Sequence, residues 1–139
     1  MSVQWRKQVL PAGVISYRGR DIRFTDSYLS GLVSAFKGRA VDCVPFVLFP
    51  DGAHTNDPQW FRGEVTGLEV VPDGLDALIT VDDETSGVIS ADPGLGAAPQ
   101  IIEDYRRADG EEFPAVVRHV LGTRKPMITG LRVWQRLTG

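Results

Sequence analysis

Phe61-Arg62-Gly63-Glu64-Val65-Thr66-Gly67-Leu68-Glu69-Val70-Val71-Pro72-Asp73-Gly74-Leu75-Asp76-Ala77-Leu78-Ile79-Thr80-Val81 holds two β-rich runs on either side of one tight turn. Phe61 to Val71 and Leu75 to Val81 are strand candidates, and Val71-Pro72-Asp73-Gly74-Leu75 between them is a hairpin signal, so the two runs are expected to pair antiparallel. Upstream, Ala40 to Phe49 is β-branched and aromatic and stops at Pro50-Asp51-Gly52, which reads as a strand followed by a turn. Before it, Asp26 or Ser27 caps a helix whose Leu29, Leu32, Val33 and Phe36 follow three-four spacing and whose end is marked by Lys37 and Gly38. Val9 to Tyr17, with Pro11 and Gly13, reads as an edge strand entering the charged turn Arg18-Gly19-Arg20-Asp21. Downstream, Asp82-Asp83-Glu84-Thr85-Ser86 opens a second helix that Pro93-Gly94 stops. Ala97 to Ile102, Phe113 to Leu121 and Ile128 to Trp134 are the remaining strand candidates, the first two separated by Arg106-Arg107-Ala108-Asp109-Gly110. About seven short strands with two helices and no repeat predict a mainly β domain, closed or nearly closed into a barrel, rather than a βαβ sheet.

The chain has 139 residues, 42% of them hydrophobic, which fits a single domain over 1–139. Fifteen Lys and Arg against 18 Asp and Glu give a net charge of -3, so there is no whole-surface basic field and nucleic acid is not an expected partner. The lone cysteine, Cys43, opens the apolar run to Phe49 and is expected to be a buried small hydrophobe in a reducing compartment. No apolar stretch approaches the roughly 18 residues a bilayer span needs, and Arg6 and Lys7 are not followed by a signal-like apolar core, so neither membrane insertion nor standard secretion is expected.

Histidine is scarce. His54 sits in the polar loop Asp51-Gly52-Ala53-His54-Thr55-Asn56-Asp57-Pro58 and reads either as a solvent-facing residue or as a reactive group on a rigid scaffold. His119 lies in Ala115-Val116-Val117-Arg118-His119-Val120-Leu121, where period two places it on one face with Val117 and Leu121. It reads as a hydrogen-bonded core residue or as a catalyst. Two histidines and a distant cysteine have neither the number nor the spacing of a closed zinc site, and no cofactor motif is present. No serine has a nucleophile-elbow context; Ser86 and Ser90 lie a turn apart on the second helix and read as cap and surface residues. The acids Asp82-Asp83-Glu84 and Glu111-Glu112 read as a helix cap and a solvated turn. Gly94-Leu95-Gly96 reads as a turn after Pro93.

Several phrases in order carry a resemblance. Val41-Asp42-Cys43-Val44-Pro45-Phe46, His54-Thr55-Asn56-Asp57-Pro58 and Phe61-Arg62-Gly63-Glu64-Val65 resemble the capsid maturation (prohead) proteases of tailed phages of actinobacteria. So do Asp92-Pro93-Gly94-Leu95-Gly96, Ile101-Ile102-Glu103-Asp104-Tyr105, Arg107-Ala108-Asp109-Gly110, Phe113-Pro114-Ala115, His119-Val120-Leu121-Gly122-Thr123 and Trp134-Gln135, and together these phrases span about residues 8 to 135. The resemblance implies a fold related to the herpesvirus assemblins, a compact β-barrel with flanking helices, and a serine endopeptidase that cleaves scaffold and major capsid protein segments. It implies a place in the host cytoplasm inside the assembling prohead, a homodimer joined through a helix, and a C-terminal scaffold-like region absent here.

By the same resemblance His54 matches the histidine that takes the proton from the serine, and His119 matches the second histidine of the assemblin triad. Branches that use an acid instead point to Asp82 or Asp83, and the arginine of the oxyanion loop points to Arg124. The nucleophile departs from the pattern. Family members read Leu-Gly-Val-Ser-Ala-Arg-Ile where this chain reads Leu95-Gly96-Ala97-Ala98-Pro99-Gln100-Ile101, which puts Ala98 at the serine's place. A methyl group cannot attack a carbonyl, so the chain is expected to be inactive by that mechanism. An engineered exchange and a naturally inactive, scaffold-associated homologue both account for Ala98, and Pro99 and Gln100 favour the second.

Overall fold

The computed structural model describes residues 2–137. Its elements are β1 (Ser2–Pro11), β2 (Gly13–Tyr17), β3 (Arg20–Phe24), α1 (Asp26–Lys37), β4 (Pro45–Leu48), a short 3-10 turn (Pro58–Trp60), β5 (Phe61–Val71), β6 (Gly74–Asp82), α2 (Asp83–Ala91), β7 (Gly96–Arg106), β8 (Glu112–Thr123) and β9 (Gln135–Arg136). The main sheet has seven strands in the order β7-β8-β4-β5-β6-β1-β9, and β2 and β3 form a separate hairpin. All neighbouring strands of the main sheet are antiparallel except β4 and β8, which run parallel.

β5 and β6 form the hairpin that the turn signal predicts, with Val71 opposite Gly74. α1 starts where Thr25, rather than Asp26 or Ser27, caps it: the Thr25 hydroxyl accepts from the Tyr28 amide at 3.0 Å. Its buried Leu29, Leu32 and Ala35 follow the three-residue spacing. Leu29 and Leu32 join Val44, Phe46, Val65, Val117 and Val120 in the main core. No helix among the described residues is long and apolar enough to cross a membrane.

The sheet does not close, which corrects the barrel expectation. No ladder joins β7 to β1 or β9, so the sheet keeps two edges. The reason lies in the chain after β8. Ile128 to Trp134, expected to be a strand, is irregular and engages its neighbours through side chains. The Trp134 indole donates to the Leu95 carbonyl at 2.8 Å, the Arg132 amide donates to Gln8 Oε1 at 2.7 Å, and Lys7 Nζ donates to the Arg132 carbonyl at 2.6 Å. This segment joins β1 to the residue before β7 without supplying the continuous main-chain ladder that closure requires.

Other boundaries shift for similar reasons. β1 starts at Ser2, well before Val9, and pairs on both sides; its Arg6 and Lys7 are held by partners remote in sequence. The predicted strand over Ala40 to Phe49 shrinks to Pro45–Leu48, a central strand whose first three residues are buried, as a parallel neighbour demands. Cys43 precedes it and is exposed, with Sγ 4.0 Å from Glu64 Oε1, so it is not a core residue.

Candidate functional site

The gap that leaves the sheet open is a groove. Val9 and Leu10 of β1, with Ile22 and Phe24 of β3 and Tyr28 of α1, face Ala97 to Ile101 of β7 across a cavity of about 370 Å³ that also takes in His54. Among the described residues β7 pairs with β8 alone, so its other edge carries no main-chain ladder, although β1 packs close to part of it. At the Glu103 end, the Tyr28 hydroxyl donates to Glu103 Oε1 at 3.3 Å. Burial and the Glu103 carboxylate push that phenol up to about 12, so it remains protonated.

A β-bulge aims His119. In the β7–β8 ladder Gln100 pairs with His119 and Ile101 with Val117, so Arg118 is the extra residue. The bulge breaks period two: Val117 and Val120 both enter the main core, so His119, next to Val120 in the strand, points to the opposite face. The expectation that Val117, His119 and Leu121 share a face is therefore corrected. Directly opposed residues point to the same side of a sheet, so Ala98, opposite Leu121, and Gln100, opposite His119, share the His119 face. Ala98 is one diagonal step from His119 on that face.

The loop from Pro50 to Asp57 brings His54 to it. Its start is tied to the end of β8, since the Phe49 amide donates to the Gly122 carbonyl at 3.2 Å and the Arg124 amide to the Pro50 carbonyl at 2.9 Å. Phe49 stacks on Trp60 with ring centroids 4.3 Å apart, and a Cβ at Gly52 would overlap the Phe49 ring, so only glycine makes this bend. The far end is pinned by Asp57, whose Oδ1 accepts from the Gln59 amide at 3.1 Å and caps the Pro58–Trp60 turn.

Between these supports, His54 Nδ1 lies 2.7 Å from His119 Nε2, and His119 Nδ1 lies 2.9 Å from the Asn56 side-chain amide. His119 is 0% exposed. Burial, then the charges of His54 and Arg118, push its imidazolium down to about 4, and burial also lowers His54. At neutral pH the two rings form a neutral pair joined by one hydrogen bond, and a pair of this kind can relay a proton. His54 Nε2 makes no hydrogen bond among those of the described residues.

The other residues singled out by sequence fare differently. Asp82 accepts from the Thr85 amide at 2.8 Å as the cap of α2, and Asp83 lies in the first turn of that helix. β6, which leads into them, is separated from β8 by β5 and β4, so neither acid is brought to the histidines. Arg124 lines a neighbouring cavity with Gly96 and Ala97, and its guanidinium is engaged by Asp92 at 3.2 Å and Asp51 at 3.4 Å. Ser86 is buried and accepts from the Trp5 indole at 3.0 Å, and Ser90 is exposed. Gly94 forms the turn that the sequence suggests.

No hydroxyl or thiol nucleophile other than the Tyr28 phenol lines the groove. Among the described residues no group of three His, Cys, Asp or Glu side chains is placed to hold one metal ion. Asn56 joins the site without having been marked by its residue type; its signal in the sequence is its place two residues after His54 in the same pinned loop. No protein-family model and no curated protein matches the chain.

Proposed function

We propose that this chain is a silent serine-endopeptidase domain of the prohead-maturation type, which takes an extended segment of scaffold or major capsid protein along the free edge of β7. The observation that carries the reading is that His119, bridged to His54, shares a sheet face with Ala98, and that His54 and Ala98 both line an apolar groove. A free strand edge supplies main-chain hydrogen bonds to an extended peptide, and the groove accommodates alternate side chains. The lineage is proteolytic because a bridged imidazole pair beside a strand residue is the support a nucleophilic oxygen requires. The present function is binding, because Ala98 supplies no such oxygen.

Restoring the oxygen tests the lineage. In Ala98→Ser, the serine oxygen is expected to attack a fluorophosphonate probe, forming an O–P bond as fluoride leaves and passing its proton to His54. Covalent labelling of Ala98→Ser, absent from the natural chain and from Ala98→Ser/His54→Ala, is the expected result. Labelling that is indifferent to His54 removes the histidine from the reading. For the natural chain, an extended peptide from a scaffold or capsid-protein sequence is expected to shift the backbone amide resonances of Ala97, Ala98 and Gln100 to Glu103. The same peptide N-methylated at alternate amides is expected to bind at least tenfold more weakly. Folded protein showing neither labelling of Ala98→Ser nor a peptide-dependent shift of β7 overturns the proposal.

A further inference from the structure

Two rings joined by one hydrogen bond admit two proton orders, and the third group in line decides between them. In this site that group is the Asn56 side chain, which lies between His119 Nδ1 and the Arg118 guanidinium. A guanidinium only donates. If Asn56 turned its amide nitrogen to Arg118, donors would face donors. Seated the other way, Asn56 Oδ1 accepts from Arg118 Nε and Nη2, and Asn56 Nδ2 lies 2.9 Å from His119 Nδ1. This orientation satisfies every group, and it has a consequence two rings away.

A donor aimed at His119 Nδ1 requires a lone pair there, so the His119 proton sits on Nε2. His119 Nε2–H then donates across the 2.7 Å bridge to His54 Nδ1, which leaves the His54 proton on Nε2. We propose that Asn56, anchored by Arg118, holds both imidazoles predominantly as Nε2–H tautomers, so that His54 offers the groove a donor and presents the lone pair a serine would need in only a minor fraction of molecules. Asn56 is thus a positioning residue, acting through His119. Its occupant of choice is a hydrogen-bond acceptor at the His54 end of the groove, a main-chain carbonyl of the bound segment. This deepens the peptide-binding reading and rests on it for the identity of the occupant, but the proton order itself does not depend on that reading.

The natural chain, labelled with nitrogen-15 at histidine and studied at pH 8 where both rings are neutral, tests this directly through long-range nitrogen–proton correlation spectra. The expected pattern is Nε2–H on both rings. Asn56→Asp reverses the logic, because a carboxylate accepts from Arg118 and from His119 Nδ1–H together, and both rings are then expected to become Nδ1–H tautomers. In the Ala98→Ser background, Asn56→Asp is expected to raise the rate of fluorophosphonate labelling at least tenfold, since a wrongly protonated histidine can cost on the order of 10⁴ in rate. Arg118→Met, which removes the anchor and leaves Asn56, is expected to give mixed tautomers and serves where Asn56→Asp does not fold. Nδ1–H on either ring of the natural chain, or unchanged tautomers in a folded Asn56→Asp, overturns the proposal. Nδ1–H rings with peptide binding retained count against Asn56 alone, and Nε2–H rings without peptide binding count against the function alone.

Discussion

The two edges of the seven-stranded sheet differ in length and in chemistry. β9 covers only Trp5 and Arg6 with Arg136 and Gln135, and beside it lies a dense polar cluster. Asp76, 1% exposed, accepts from Arg6 at 3.0 Å and from Arg132 at 2.6 Å, while buried Lys7 donates to the carbonyls of Gln8 and Arg132. At the other edge β7 runs for 11 residues with an apolar groove alongside it. A long free edge is an aggregation liability that proteins ordinarily blunt. Here the blunting is partial: Pro99 removes one main-chain donor, and Asp104 at φ 51° interrupts the extended path near the end of the strand. One edge is short and secured by charge; the other carries no ladder partner and lies beside the histidine pair.

Breaking the secured edge gives the largest expected effect. Asp76→Ala leaves Arg6 and Arg132 without their shared buried partner, and denaturant unfolding is expected to show a loss of about 3–5 kcal/mol. An unchanged midpoint would mean that the cluster does not hold this edge.

The open edge carries an acid-sensitive group instead. His119 is held near 4, below its unfolded value of 6.5, so the unfolded chain binds the proton more readily between those values. Its contribution is complete above about pH 6.5 and is lost as pH falls toward 4, with an upper scale on the order of 3 kcal/mol. Urea midpoints across this window are expected to fall in the natural chain and to flatten in His119→Gln. A slope that persists in the variant would place the titration elsewhere.

The link between the two edges is expected to matter least. Trp134→Phe removes the indole donor from the Leu95 carbonyl, at a cost of about 1–2 kcal/mol in thermal or denaturant unfolding. A loss far above this would show the link to be as important as the Asp76 cluster.

Local features of this chain were legible in its sequence because neighbouring residues settle them. The Val71–Leu75 turn, the α1 stripe of Leu29 and Leu32, and the start of α2 at Asp82 depend on contacts within a few positions. β1 was legible only from Val9, because the groups that receive Arg6 and Lys7, namely Asp76, Glu69 and the Arg132 carbonyl, lie far along the chain. The site divides in the same way. His54 and His119 stood out by scarcity, whereas the role of Asn56 depends on Arg118 and His119, more than sixty positions away in the chain.

Local pattern was enough to place the β5–β6 hairpin, the two helices and the loop that carries His54, and to put a methyl group at position 98. Contacts across the folded chain leave the sheet open, turn His119 out of the Val117 face through the extra residue Arg118, and set Asn56 third in line. The physical reason is that closure, register and proton order are set by pairings between residues far apart in the chain, and a period-two pattern is the same with or without them.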